Sequence, residues 1–132
     1  AEMRTEAVKS LRTVVAISAG YNHALALRAD GSVVAWGNND YGQATVPASR
    51  YVVRTISAGL NYSILVTDDN KIFSFGTNNW GQRNIPDTLS NVLSATAGYA
   101  NSVVTLRDGT VLTYGSKEFN AHITRTPTPK GR

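Results

Sequence analysis

The 132-residue chain contains no cysteine. That absence excludes a disulfide framework, a thiolate metal site and a thiol nucleophile. No apolar run approaches the ~18 residues that cross a bilayer, so no membrane span is expected. The opening AEMRTEAVKS lacks the apolar core of a signal peptide, and a start at Ala1 fits removal of an upstream leader or domain. Catalytic constellations are missing too: there is no Ser-His-Asp order, no glycine-rich phosphate loop and no clustered carboxylate pair. Of the two histidines, His23 stands where later copies of the same pattern have Tyr62 and Asn101, which favours a loop-ordering or surface role over a base. The run Asn38-Asn39-Asp40 has too few carboxylates for a calcium loop. We expect neither an enzyme nor a metal or other cofactor.

A basic surface is also lacking where it would matter. The net charge is +4, yet residues 14–120 carry seven Lys or Arg and seven acids. The surplus lies in the two ends, so no basic stripe tracks along the body and nucleic-acid binding is not expected.

What is present is a repeat. Val14–Gly37, Val53–Gly76 and Val92–Gly115 superpose at a constant spacing of 39 residues without a gap. Five columns are invariant: the leading valine, an Ala-Gly pair (Ala19-Gly20, Ala58-Gly59, Ala97-Gly98), an aspartate (Asp30, Asp69, Asp108) and the closing glycine. A period near 40 signals a unit that buries its apolar surface only by stacking on copies of itself.

Each copy reads as strand, turn, strand, turn, strand. The first strand ends in small residues, which suits an inner strand crowded near an axis. The second is apolar on consecutive positions, as in a strand covered on both faces. Asp30-Gly31, Asp69-Asn70 and Asp108-Gly109 predict two-residue hairpins of the primed type, because Gly and Asn accept positive φ. Trp36, Phe75 and Tyr114 then precede the closing glycine as inter-sheet packing. A fourth, outer strand is expected beyond Gly42-Gln43 and Gly81-Gln82, with Pro47 and Pro86 tolerated on an edge. The fold class is therefore all-β: three four-stranded antiparallel β-propeller blades, a partial propeller or half of an oligomeric ring.

The expected organisation is an N-terminal segment 1–13, blades at 14–52, 53–91 and 92–120, and a Thr/Pro-rich basic tail at 121–132. The third copy degenerates, with Asn120-Ala121 in the Gly-Gln slot and Arg125 in the proline slot. Thr5 to Leu11 fall in an outer-strand slot, either closing a ring or marking a longer array.

The runs ISAGYNHALALRADGSVVAWGNNDYGQATVP and ISAGLNYSILVTDDNKIFSFGTNNWGQRNIP resemble repeats of the regulator of chromosome condensation family, in the short bacterial form of the β-lactamase-inhibitory propeller proteins. The resemblance covers residues 14–120 and implies a β-propeller of six to eight blades. Three blades fall below the ~4–8 of closed rings. Completion would come from a homodimer, another chain or further blades in a larger complex.

In such a blade, the loops after the first and third strands emerge at one end. That end carries Tyr21, Asn22, Leu60, Asn61 and Tyr99 on the first set and Asp40, Tyr41, Trp80 and Phe119 on the second. Aromatics with adaptable Asn neighbours suit a protein-binding face, the face by which the inhibitory propellers grip their target. The same aromatics equally suit packing over the next blade. The function read from the sequence is a non-enzymatic protein-protein interaction module with a protein partner or other blades. A structural subunit contacting through blade faces and strand edges is the alternative, and nucleotide exchange on a small GTPase rests on family analogy alone. Absent cysteines and the Thr/Pro tail suit a bacterial envelope or secreted protein.

Overall fold

The Asp-containing turns set the architecture, because each one folds a pair of strands back on itself with a fixed register. In the computed structural model, which describes residues 13–47 and 51–116, nine strands form three antiparallel sheets. They are β1 (Val14–Ala19), β2 (His23–Arg28), β3 (Val33–Gly37), β4 (Val53–Ala58), β5 (Tyr62–Thr67), β6 (Ile72–Gly76), β7 (Val92–Ala97), β8 (Asn101–Leu106) and β9 (Val111–Gly115). The sheets order as β1-β2-β3, β4-β5-β6 and β7-β8-β9.

The hairpins differ from the predicted two-residue turns. Gly31 N donates to Arg28 O and Arg28 N donates to Ser32 O, both at 2.9 Å, which closes a three-residue loop. Thr67 with Asn70, and Leu106 with Gly109, repeat the pattern. Only the third loop residue is left-handed: Gly31 at φ 86°, Asn70 at 69° and Gly109 at 91°. A type I turn followed by one such residue needs a single tolerant position, where a primed turn of type I′ needs two. The invariant aspartate is the loop's internal acceptor: Asp30 takes Ser32 N (2.9 Å) and Oγ (2.6 Å), Asp108 takes Thr110 N (3.0 Å), and Asp69 takes the Thr67 hydroxyl. Those bonds hold each carboxyl below its ordinary range.

Pleating gives every sheet two faces, and register assigns them. Ala16, Ser18, His23, Leu25 and Leu27 share one face of the first blade; Ile17, Ala19, Ala24, Ala26 and Trp36 share the other. The first face packs Leu25 and Leu27 against Ala58, Leu65 and Phe75 of the second blade. The second blade in turn packs Tyr62, Ile64 and Val66 against Ala95, Val104 and Leu106 of the third. Full burial stabilises each large aliphatic side chain by ~1.5–3 kcal/mol, whereas an isolated small sheet is marginal. The fold is therefore held by the two interfaces between blades. Near the inner strands the blades come very close: a Cβ on Gly20 would lie 2.5 Å from Gly59 O, and one on Gly59 would lie 2.6 Å from Gly98 O. Ser18 Oγ accepts Ala58 N and Ser57 Oγ accepts Ala97 N, each at 2.9 Å, repeating one contact at consecutive interfaces.

The expected fourth strands do not form among the described residues. In the second blade, residues 81–91 contain a turn in which Asn84 N donates to Gly81 O (3.0 Å), then Pro86, which has no N–H. Lys71 O and Asn61 O are bonded across the ladder at its two ends, so Ser74 and Gly76 turn their backbone groups outward from β6. Arg83 takes that edge instead: its guanidinium donates to Ser74 O (3.0 Å) and Gly76 O (2.8 Å), and its Nε to Ser74 Oγ (3.2 Å). The first blade likewise has no strand over 42–47. Residues 5–11, the degenerate end of the third copy and the tail lie outside the described residues.

Candidate functional site

The loops that follow β1 and β3 lie at one end of each blade. Asn38 N donates to Asn22 O, Thr77 N to Asn61 O and Ser116 N to Ala100 O, tying the two loop sets together in all three copies. The opposite end carries the Asp hairpins.

Two groups of residues come together on this face. Tyr21 and Tyr99, from the first and third blades, meet edge to face with ring centroids 6.1 Å apart and planes at 82°. They border a shallow depression of about 290 Å³ whose other walls include Ala19-Gly20, Ala58-Gly59-Leu60 and Ala97-Gly98. The invariant Ala-Gly pair thus supplies bare backbone around the depression, and the variable residue after it supplies the rim. Beside it, Asn22 Nδ2 donates to Asn61 Oδ1 at 3.1 Å. Gln43 is fully buried beneath them: its Nε2 donates to Asn38 Oδ1 (2.9 Å) and approaches Asn61 Oδ1 (3.3 Å) and Asn22 Oδ1 (3.4 Å). Its Oε1 accepts Tyr41 N at 2.9 Å.

Asp40, Tyr41 and Trp80 stand apart from the Tyr21–Tyr99 pair. Asp40 N donates to Asn38 Oδ1 (3.0 Å), and Trp80 N donates to Gln82 Oε1 (2.9 Å) just as Tyr41 does to Gln43. Tyr41 and Trp80 are 52% and 58% exposed. Phe119 lies outside the described residues. Gln82 Nε2 is buried without a partner, since Thr77 and Ala100 stand where the preceding copy has Asn38 and Asn61.

Sequence reasoning missed the residues that fix this face. Gln43 and Gln82 read as turn formers but are buried organisers of their loops. His23 is neither a loop-ordering nor a surface residue. It is buried, and its Nε2 lies 2.7 Å from Ser63 Oγ in the next blade. Ser63 Oγ donates its one proton to Gln43 O (2.8 Å), so His23 is the donor from Nε2 and Nδ1 is left buried without a partner. Burial holds the imidazole pKa below its ordinary value. Tyr62 repeats the latch: its hydroxyl donates to Asn101 O (2.6 Å), accepts Gly98 N (2.9 Å) and sits 3.0 Å from Ser102 Oγ, which donates to Gln82 O (2.6 Å). The readable signal was the 39-residue column itself, 23 with 62 and Ser63 with Ser102.

Residues 14–43 and 53–82 match the model of the regulator of chromosome condensation (RCC1) repeat. Among solved structures, the chain is similar to Prp20p from Saccharomyces cerevisiae, in a study of its binding to Gsp1p and histones, with 23% identity, a TM-score of 0.71 and coverage of 79% of this chain and 33% of that one. It is also similar to the crystal structure of Kap60 bound to yeast RCC1 (Prp20), at 25% identity, a TM-score of 0.68 and coverage of 79% and 32%. The C-terminal domain of gp131 from bacteriophage phiKZ matches at 14% identity and a TM-score of 0.61, over 86% of this chain and 39% of that one. The chain spans about a third of the length of these structures. No curated protein matches it in sequence. Three stacked antiparallel sheets make the chain part of a β-propeller, and two of its three repeats are similar to the regulator of chromosome condensation (RCC1) repeat.

Proposed function

We propose that the chain is a non-enzymatic protein-interaction module whose partner sits on the loop face bearing Tyr21, Asn22, Leu60, Asn61 and Tyr99, flanked by the loops of Tyr41 and Trp80. The observation that carries this reading is the Tyr21–Tyr99 pair, two large rings held against each other over bare backbone while more than half exposed. Rigid aromatics deliver contact area at low entropic cost, and they dominate protein–protein binding energy. The Asn/Gln network beneath fixes the loops before binding, which lowers the ordering cost. The yeast structures concern proteins that bind Kap60, Gsp1p and histones, and a protein partner for this chain is of the same class.

The test is site-specific photo-crosslinking in cells that express the chain. A photoreactive side chain at Trp80 or Tyr21 should capture a discrete protein, and one at Asp69 on the opposite end should not. Tyr21→Ala with Tyr99→Ala should abolish that product at unchanged melting temperature. Equal capture from both ends, or capture untouched by the alanines, would sink the proposal.

A second reading, a structural subunit acting through its blade faces, is favoured by apolar side chains on the two outermost sheet faces.

A further inference from the structure

The loops that follow β3 and β6 match bond for bond, yet one side chain on them differs. In the first, Gly42 N donates to Asn39 O (3.1 Å), Ala44 N to Asn39 Oδ1 (2.8 Å) and Thr45 N to Gly42 O (3.1 Å). In the second, Gly81 N donates to Asn78 O (3.1 Å), Arg83 N to Asn78 Oδ1 (2.7 Å) and Asn84 N to Gly81 O (3.0 Å). An asparagine amide closes both loops, Asn39 Nδ2 on Thr45 Oγ1 (2.8 Å) and Asn78 Nδ2 on Asn84 Oδ1 (2.9 Å). Ala44 therefore holds the place from which the Arg83 side chain sets out.

The strand edges beside these loops match as well. Arg28 N donates to Ser32 O and Asn38 N to Asn22 O, so Ala35 and Gly37 turn their backbone groups outward from β3, as Ser74 and Gly76 do from β6. On β6 the Arg83 guanidinium spans the two carbonyls, Nη2 to Ser74 O and Nη1 to Gly76 O. On β3 a methyl group stands in its place, and among the described residues no side chain donates to Ala35 O or Gly37 O. Gly37 is exposed where Gly76 is half-buried. The two edges also differ in charge. Asp40, exposed, stands where the second copy has Asn79. Its carboxylate accepts Nδ2 of Asn38, the residue next to Gly37, at 3.1 Å, which sets a negative group at that end of the edge.

We infer that the outer edge of β3 is a docking site for an arginine side chain of a protein partner, whose guanidinium spans Ala35 O and Gly37 O as Arg83 spans Ser74 O and Gly76 O. A planar fork of donors fits two carbonyls on one edge, and a lysine ammonium, a compact point charge, does not. Arg83 has a third acceptor in Ser74 Oγ, which Ala35 lacks; in the first blade Asp40 supplies the attraction instead. The inference rests on the reading of the chain as a protein-interaction module, but a small arginine probe tests the edge without any partner, so the two fail separately.

The probe is N-acetyl-arginine amide, titrated into the intact, isotope-labelled chain and followed by amide NMR. Saturable shifts should centre on residues 35–38, and N-acetyl-lysine amide should not reproduce them. Ala44→Arg fills the edge from within its own loop and should abolish those shifts. Arg83→Ala uncovers the matching edge and should add a second set at residues 74–77. Asp40→Asn should keep the site and weaken the probe about two- to five-fold, the range of an exposed ion pair. The inference is overturned by an equal response to the lysine probe, by arginine shifts that survive Ala44→Arg, or by none at Ala35 and Gly37. An uncharged extended tripeptide that shifts the same amides as strongly would identify strand addition in its stead and overturn it too. Unchanged affinity in Asp40→Asn counts against it equally.

Discussion

Tyr62 joins the second and third blades, and its phenol gives the most direct test of the idea that the interfaces hold this fold. The side chain is fully buried, and its hydroxyl touches Asn101 O, Gly98 N and Ser102 Oγ. Tyr62→Phe removes the oxygen alone. Each of the three groups keeps a partner, because Gly98 N also donates to Asn101 O (2.9 Å) and Ser102 Oγ to Gln82 O. The loss should therefore be that of net hydrogen bonding, about 1–2 kcal/mol, and not the larger penalty for orphaned buried groups. Tyr62→Ala empties the interface as well and should cost about 3–5 kcal/mol. Urea unfolding at one fixed protein concentration reads the first as a midpoint shift of about 0.5–1 M with unchanged slope. Burial raises the phenol pKa, so the folded state releases its proton less readily than the unfolded chain. Stability tied to Tyr62 is thus complete below the unfolded value near ~10 and is lost as pH climbs through the higher folded value. Tyr62→Phe should lose that alkaline slope. Hydrogen exchange should quicken in β7 to β9 before β1 to β3, since a stack of repeats couples through nearest neighbours. A Phe variant as damaged as the Ala variant, or one that loosens the first blade equally, would refute the reasoning.

Two further outcomes follow from the same interfaces. The pKa of His23 is lowered by burial, so its contribution is present above the unfolded value of ~6.5 and is lost as pH falls through the folded one. The urea midpoint should drop between pH 7.5 and 5, and His23→Gln should flatten that drop; an unchanged slope in the variant would place the effect elsewhere. Gly59→Ala sets a Cβ against Gly98 O and Tyr62 Cε1 at 2.6 and 2.8 Å, forcing the blades apart at about 1–3 kcal/mol. Gly42→Ala meets nothing within 4 Å and should cost only the left-handed backbone, about 1–2 kcal/mol. Amide shifts should spread into the third blade for Gly59→Ala alone.

The strands were legible because two signals coincided on each of them: the chain turned at a residue tolerant of positive φ, and the apolar run between turns was short. Turn type was not legible, since Asp-Gly serves both a two-residue and a three-residue loop, and only the bond from Gly31 N to Arg28 O tells them apart. Within the candidate site, the exposed aromatics could be placed on one face by strand count alone. The latch could not, because His23, Tyr62 and Asn101 share a column without sharing a chemistry. Their common property is a place on the strand facing the next blade, and it becomes visible only when Ser63 and Ser102 are seen to face back. Arg83 marks a different limit. A periodic reading of the chain weighs what recurs, and the guanidinium that takes the outer edge of β6 occurs in one copy, where the first copy has Ala44. Repetition thus identifies what every blade must do to stack, while a single-copy residue such as Arg83 records what one particular blade does at its edge.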